Sequence, residues 1–421
     1  VKLFVTILEE TAEAAIESIR ALRSEHDGVE VRAERFPSID LDAIRAATAK
    51  PIILTYRGSR APDVAAALRA GIDLVDVEWQ EGVEIIAPER TVLSHHDYEG
   101  MRDVEAIVAN MRARGCAHTK LAATPHNFAD NERLLALQEP GTSLIGMGER
   151  GLYSRILAPF RGAELAFVAG GTIAAPGQLT LDRALEIYGR GPLRADRVFA
   201  VAGNPAGHSL SPSIHNRLFR EKGAPAAYTI ASLERFDEIT DAFLRGEPCG
   251  LSITAPFKED AFDFAVAQGA ELGENAQRAR AVNTLVNLGG RILADNTDVD
   301  GFAALFPLAT HAAVIGAGGT ARAALVALAN AGIPATVFNR TPSKGDALLE
   351  ALAAFDGDLV INTLPAGVDV VIPRCTTYIE AAYGGAPRAV DAQTRIGGLD
   401  LLHAQAIRQH ELFMKVFAHE L

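Results

Sequence analysis

Cysteine and positive charge are both in short supply in this chain, and each shortage closes off a class of protein. The three cysteines, Cys116, Cys249 and Cys375, stand far apart, with no CxxC pair and no Cys/His cluster of metal spacing. That pattern excludes a disulfide framework and a structural zinc site, so no metal is expected, and it implies a reducing compartment. Acidic residues outnumber basic ones 53 to 40, for a formal net charge of -13, so neither nucleic acid nor an anionic membrane is an expected partner. Basic pockets for small anionic metabolites remain compatible with that balance. Long apolar runs are missing too: none reaches the roughly 20 residues of a membrane span, and no charged segment followed by an apolar one opens the sequence. A soluble, cytoplasmic protein is expected.

What is plentiful is core-forming material. At 421 residues and 48% hydrophobic, the chain can bury more than one core, and two domains is the natural expectation. Over residues 1 to about 190, eight β-rich runs alternate with helical patterns: Leu3 to Ile7, Val29 to Ala33, Ile52 to Tyr56, Leu74 to Trp79, Val92 to His96, Thr119 to Ala123, Ser143 to Met147 and Leu165 to Ala169. Amphipathic segments such as Thr11 to Leu22 and Asp103 to Arg114 lie between them, and a repeating βα unit argues for a parallel sheet. Eight units predict a (β/α)8 barrel, shorter than is usual for that fold. An open doubly wound sheet satisfies the same alternation.

Function in such a barrel gathers at the C-terminal ends of the strands, and the polar residues of this half fall at or near those ends. Lys120 is the one cation in the short run Ala117-His118-Thr119-Lys120-Leu121-Ala122-Ala123; burial favours a neutral amine, which can attack a ketone. Glu30, Arg32 and Glu34 share one face of the second strand by the two-residue period, Arg57 ends the third and Glu78 the fourth. The fifth ends in Ser94-His95-His96-Asp97, whose adjacent histidines point to opposite faces, so only one of them faces the interior. Arg155 follows the seventh strand, and Gln178 closes Ala174-Ala175-Pro176-Gly177-Gln178 after the eighth. A single strand Lys or Glu is more often solvated or ion-paired, as Glu34 and Arg35 can be. Charged groups from six strands at one barrel end are harder to dismiss: an amine for an imine, a histidine for protons on the adjacent carbon, arginines for a carboxylate.

These residues closely resemble type I 3-dehydroquinate dehydratase through nearly the whole first half. Glu30-x-Arg32, the Ser-x-His-Asp segment at 94 to 97, Lys120, Met147-Gly148 with Ser154-Arg155, and Ala175-Pro176-Gly177-Gln178 fall in that family's order. The resemblance implies that Lys120 forms an imine with the substrate ketone and that His96, which directly precedes the aspartate, takes the α-proton and assists loss of water. It also implies that Glu78 orients His96, that Arg155 pairs with the substrate carboxylate, and that Glu30, Arg32, Arg57 and Gln178 contact its hydroxyls and carboxylate. Two departures are visible: Ala174 stands where the family has serine, and Glu34 where it has aspartate. The first removes one substrate hydrogen bond, and activity is expected to survive it.

A short polar break, Gly189 to Asp196, separates this half from the next. A strand from Val198 to Ala202 runs into Gly203-Asn204-Pro205 and Ser209-Leu210-Ser211-Pro212, where turn formers, two hydroxyls and a Pro-initiated helix make either a ligand loop or a plain strand-to-helix turn. Further on, the apolar strand Ala312-Ala313-Val314-Ile315 feeds Gly316-Ala317-Gly318-Gly319-Thr320-Ala321 and then a helix. That is a dinucleotide-binding context, in which glycines let the backbone approach a pyrophosphate. The next strand ends in Asn339-Arg340-Thr341, where an NAD site would carry Asp or Glu; Arg340 suits a 2′-phosphate and favours NADP.

Residues 197 to 421 resemble shikimate dehydrogenase through the Gly203 and Ser209 segments, Thr254-Ala255-Pro256-Phe257-Lys258-Glu259, Ala281-Val282-Asn283-Thr284, Asn296-Thr297-Asp298, the glycine turn with Asn339-Arg340-Thr341, and Gln405. The resemblance implies that Ser209, Ser211, Thr254, Asn283 and Gln405 hold substrate hydroxyls and carboxylate, that Lys258 and Asp298 form a proton-transfer dyad, and that Gly398 joins the glycine turn in binding NADP. Taken alone, a Lys/Asp pair is more often a surface ion pair. Departures are larger in this half. Ser252 replaces an asparagine, Asn362-Thr363-Leu364-Pro365-Ala366-Gly367 is a loose nicotinamide-side loop, and Val390-Asp391-Ala392-Gln393-Thr394 runs almost directly into Gly397-Gly398, so the family's tyrosine and its following helix are expected to be missing.

The expected plan is an N-terminal (β/α)8 barrel over 1–190, a substrate lobe over 197–300, a Rossmann lobe over 301–395 and a C-terminal helix over 396–421 returning to the substrate lobe. Together the resemblances imply a bifunctional enzyme that dehydrates 3-dehydroquinate and reduces 3-dehydroshikimate to shikimate with NADPH, with small-molecule partners and room for a homo-oligomer. The alternative keeps the dehydratase and leaves the second half as a regulatory module that binds nucleotide or metabolite without efficient turnover.

Overall fold

The computed structural model describes residues 1–36, 38–57, 63–385 and 388–418. It divides into two compact units, Val1–Asp196 with Phe219–Leu233, and Arg197–Leu218 with Glu234–Leu421.

Unit one is built on β1 (Lys2–Ile7), β2 (Gly28–Arg32), β3 (Ile52–Thr55), β4 (Leu74–Glu78), β5 (Thr91–Asp97), β6 (His118–Ala123), β7 (Thr142–Gly146) and β8 (Leu165–Ala169). Every run read as a strand is one. The runs are short and nearly continuously apolar because parallel strands are buried on both faces. Thr11, Asp40, Asp63, Asn127 and Thr180 each accept a backbone N–H at a helix start, a cap that stabilises a helix by about 1 kcal/mol.

The strand order is β7-β6-β5-β4-β3-β2-β1-β8, with every pairing parallel. Because β1 pairs with both β2 and β8, the sheet continues past its first strand towards barrel closure. Among the described residues no ladder joins β7 to β8. The Ser143 hydroxyl on β7 donates instead to the Leu165 carbonyl on β8 at 2.8 Å, and a ring nitrogen of His118 lies 2.9 Å from that hydroxyl. Phe4, Ile53, Val92 and Leu165 pack as one core cluster, while Val104, Val108, Leu121, Leu134 and Leu144 form another between sheet and helices.

Two local expectations are corrected. β2 ends at Arg32, and Glu34 sits on a 3-10 turn, Ala33–Arg35, closed by the Phe36 N–H on the Ala33 carbonyl, so it does not share the strand face of Glu30 and Arg32. The fourth repeat has only the 3-10 turn Pro88–Arg90 between β4 and β5 among the described residues; Pro88 starts that turn and no apolar helical stripe follows it.

Unit one also takes in β10 (Ala226–Ser232), which follows β9 (Arg197–Gly203) in the chain. Unit two holds β9 with β11 (Gly250–Ile253), β12 (Glu271–Leu272), β13 (Thr284–Leu288) and β14 (Arg291–Asp295), in the order β9-β11-β13-β14-β12. β11 runs parallel to β9 and antiparallel to β13, which is antiparallel to β14. A second sheet, β15 (Ala312–Ile315), β16 (Ala335–Asn339), β17 (Ala347–Leu348), β18 (Leu359–Asn362), β19 (Cys375–Glu380) and β20 (Ala392–Ile396), is parallel throughout and ordered β17-β16-β15-β18-β19-β20. That is the doubly wound dinucleotide-binding order, with its switch point beside β15.

The helix Gly398–Ala418 closes the described chain and packs on the first sheet of unit two. Its Phe413 ring lies 4.9 Å from that of Phe199 on β9, and Gly250 on β11 makes room for both: a Cβ there would lie 2.5 Å from one ring and 2.9 Å from the other. Among the described residues no helix is long and apolar enough to cross a membrane.

Candidate active sites

A cavity in unit one is lined by Thr6, Glu30, Arg32, Arg57, His96, Lys120, Arg155 and Gln178, among others. Strand register sets the heights of its side chains. Ser94, Lys120 and Ser143 lie side by side on β5, β6 and β7, and His96 stands two residues beyond Ser94 on the same face. His95, on the opposite face, meets the Trp79 ring edge-on with centroids 5.6 Å apart. Strand alternation therefore puts His96, and not His95, on the cavity face.

Lys120 is buried, and its Nζ donates to Glu30 Oε1 at 2.8 Å, stands 3.6 Å from Asp76 Oδ2 and lies 3.7 Å from the centroid of the Phe167 ring. Burial alone was the expected influence on this amine; the structure adds two counter-charges. Glu30 also accepts from the hydroxyls of Thr6 at 2.8 Å and Thr55 at 3.2 Å. Burial works to raise its carboxyl, but the charges of Lys120 and Arg57 outweigh that and hold it below the usual range. In this arrangement Glu30 anchors the lysine.

Asp76 was missed from the sequence. It is fully buried on β4, accepts two parallel bonds from Arg57 at 2.7 and 2.8 Å, and accepts from Ser94 Oγ at 2.5 Å. Burial opposes its ionisation, and Arg57 with Lys120 reverses the balance, leaving the carboxyl well below the ordinary range. The available signal was Asp76-x-Glu78, two acids on one strand face, of which only the second had been singled out.

His96 Nδ1 is 2.9 Å from Glu78 Oε2, and its backbone N–H donates to Glu78 Oε1 at 3.0 Å. Burial pulls the imidazole below its ordinary range; Glu78 opposes that, and the Arg57 and Lys120 charges reinforce it. A ring so held is neutral at neutral pH and able to accept a proton. Arg155 sits on the helix Leu152–Leu157, where its Nε donates to the Gly146 carbonyl at 3.0 Å. Desolvation pulls Arg155 down to about 10, so a ligand carboxylate there would relieve a buried cation. Gln178 bonds the Ala174 N–H at 2.8 Å and the Thr6 hydroxyl at 3.0 Å, closing the loop that follows β8. Arg32 is paired with Glu34 at 2.6 Å.

In unit two, Ser209, Ser211, Thr254, Lys258, Asn283, Asp298, Thr320, Tyr383 and Gln405 line one polar cavity. Lys258, Asp298 and Thr320 each occupy the first turn of a helix, Lys258–Ala267, Thr297–Leu305 and Gly319–Asn330. Three positive helix ends therefore meet where these side chains touch, a setting that favours anionic groups. Lys258 Nζ donates to Asp298 Oδ2 at 2.5 Å and to Thr320 Oγ1 at 3.0 Å. Asn283 spends its amide within the protein: Nδ2 bonds Asp298 Oδ1 at 2.9 Å and Thr297 Oγ1 at 3.0 Å, while Oδ1 accepts the Thr297 N–H at 2.8 Å. It fixes the Asp298 carboxylate. Gln405 accepts from Thr297 at 3.0 Å, and Ser252, read as a departure, donates to Gln409 at 2.6 Å.

The expected loss of a tyrosine is corrected by Tyr383, which lines this cavity three residues beyond β19. Tyr383 follows β19, one strand before the Val390-Asp391 segment that leads into β20. No helix lies between β19 and β20 among the described residues.

The glycine turn fits a dinucleotide. Gly316 has φ +104°, and a Cβ there would lie 2.7 Å from Thr363 Oγ1. Gly318 caps the helix Gly319–Asn330 with no side chain on its first N–H groups, and nothing lies within 4 Å of where its Cβ would be. Open backbone donors at a helix start suit a pyrophosphate. Ala317 and Ala321 flank the turn, and Arg340 is exposed just past β16, beside Asn339 and Thr341. Gly398 lines the polar cavity and a neighbouring one that also holds Gly367.

Comparison with known proteins matches residues 3–190 to type I 3-dehydroquinase and residues 201–285 to the shikimate dehydrogenase substrate binding domain. The chloroplastic bifunctional 3-dehydroquinate dehydratase/shikimate dehydrogenase of Arabidopsis thaliana is 28% identical over 489 residues, covering 94% of this chain and 79% of that protein. The NADP(+) shikimate dehydrogenase of Shewanella halifaxensis is 32% identical over 257 residues, covering 52% of this chain and 90% of that protein. Among solved structures, the dehydroquinate dehydratase and shikimate dehydrogenase of S. pombe AroM aligns over 99% of this chain and 97% of its own, at 23% identity and TM-score 0.41. The chain therefore belongs to the type I 3-dehydroquinases through its first half and to the shikimate dehydrogenases through its second.

Proposed function

We propose that unit one converts 3-dehydroquinate to 3-dehydroshikimate through an imine on Lys120, and that unit two reduces 3-dehydroshikimate to shikimate with NADPH. The observation that carries the first reading is the seating of Lys120 among Glu30, Asp76 and the His96–Glu78 pair. Lys120 Nζ adds to the ketone carbon, and loss of water leaves the imine. His96 then removes a proton from the adjacent carbon, and the electron pair flows into the imine. Collapse of the enamine expels the β-hydroxyl, which leaves as water with the proton from His96, and a second water hydrolyses the imine. Arg155 holds the carboxylate. Arg32, Arg57 and Gln178 line the same cavity and orient the ring hydroxyls.

Borohydride added during turnover is expected to fix substrate mass on the peptide containing Lys120 and on no other. An adduct elsewhere, or none in folded protein, rules out the imine at this lysine.

The proton on His96 gives a second test. The base form is needed, so dehydration falls on the acid side as pH drops through the imidazole's titration, which burial places below its usual range of about 6.5. Glu78 is the group that raises it. Glu78→Gln is therefore expected to move the acid limb of kcat to lower pH and to cut the plateau about tenfold through lost ring orientation. A limb that moves to higher pH instead contradicts this pairing.

In unit two, NADPH, when bound at the glycine turn, supplies the hydride for the ketone. Gly316, Gly318, Gly319 and Ala321 offer backbone to the pyrophosphate, Arg340 with Asn339 and Thr341 takes the 2′-phosphate, and Gly398 with Gly367 borders the nicotinamide side. Lys258 gives a proton to the ketone oxygen, and Asp298 holds the amine in place. Ser209, Ser211, Thr254, Gln405 and Tyr383 surround the hydroxylated acid. Tyr383 in the cavity removes one of the two grounds for reading this half as a binding module alone. The three cysteines, none of them in a disulfide, suit a reducing cytoplasmic setting.

A further inference from the structure

The glycine turn and the proton-donating lysine are in direct contact, and one side chain joins them. We infer that Thr320 is a positioning residue for the Lys258 ammonium, so that this turn serves the acid catalyst as well as the nucleotide. The inference rests on the reading of unit two as a reductase and adds to it a role for a residue first expected only to touch cofactor.

Three observations carry it. The Thr320 hydroxyl lies 3.0 Å from Lys258 Nζ, on the polar cavity that also holds Asp298, Asn283 and Gln405. The stem of Lys258 lies against the turn itself: a Cβ on Gly319 would stand 2.9 Å from Lys258 Cβ and 3.1 Å from its Cδ. The nucleotide does not need this side chain, because the helix start offers backbone N–H groups beside Gly318, where space is open.

An ammonium has three N–H donors. Asp298 takes one at 2.5 Å and Thr320 a second, which leaves the third for the substrate oxygen. Asp298 alone would let the amine swing about the Nζ···Oδ2 axis; a second, fixed acceptor stops the swing. Threonine is suited to this because its β-branched side chain has few χ1 choices, so the hydroxyl stays where the helix start puts it.

The test begins with wild-type NADPH oxidation by 3-dehydroshikimate; no turnover there fails the reductase reading itself and leaves the residue's role unsupported. Given turnover, Thr320→Val, which keeps the shape and removes the acceptor, is expected to lower kcat about tenfold with the NADPH Kd within about twofold of wild type. Thr320→Ser, which restores the hydroxyl, should recover the rate. Two results overturn the inference: a tenfold loss of NADPH affinity with kcat intact, which makes Thr320 a nucleotide ligand only, or equal losses of kcat in the Val and Ser variants, which makes it packing only. The retained NADPH Kd also reports that the variant is folded.

Discussion

Lys120→Met is expected to reduce dehydration of 3-dehydroquinate by about 10^4-fold or more, because among the described residues lining the cavity no other carries an amine. Methionine keeps most of the stem against Phe167 and removes the nucleophile. It also leaves Glu30 and Asp76 without one of their cations, and taking one partner from buried charges costs about 3–5 kcal/mol; Arg57 still compensates Asp76 through two bonds. The rate should therefore be read alongside a melting curve. NADPH oxidation by 3-dehydroshikimate in the same sample serves as the internal control and should continue. A variant that stays folded and keeps more than about a hundredth of the dehydration rate would place the nucleophile elsewhere.

Lys258→Met is expected to lower NADPH-dependent reduction by about 10^3-fold, the scale of a lost general acid, while dehydration persists. Asp298 would lose its ion pair with Lys258, yet its other oxygen remains bonded to Asn283, so the carboxylate should keep its place and the cavity its shape. Stopped-flow measurement with saturating NADPH separates a lost proton donor, seen as a slow chemical step, from lost substrate binding, seen as a raised KM. A raised KM with unchanged kcat would make Lys258 a substrate-binding group and remove it from proton transfer.

Much of unit one was legible because its physics is local. Apolar runs of four to seven residues between helix caps can hardly be anything but buried strands, and two-residue alternation sorts His96 from His95 once the strand is known. What escaped depends on partners distant in sequence. Asp76 looks like one acid among many in the sequence until Arg57, Ser94 and Lys120 close on it, and nothing near Glu30 in the chain announces its bonds to Thr6, Thr55 and Lys120. Unit two was harder for the same reason. Thr320 and Lys258 are 62 residues apart in the chain, and nothing in either segment announces the other. Tyr383 follows a strand with no periodic helix behind it, so the reading had no frame in which to place it.

The missing β7–β8 ladder bears on how the dehydratase site meets its ligand. A closed ring of hydrogen-bonded strands resists being sprung open, whereas a seam bridged by a side-chain bond, here Ser143 to the Leu165 carbonyl, yields more readily than a full ladder. Arg155 follows the strand on one side of that seam and Gln178 the strand on the other. A molecule gripped by both residues would act as the absent rung, so that filling the site and stiffening the wall around it become a single event.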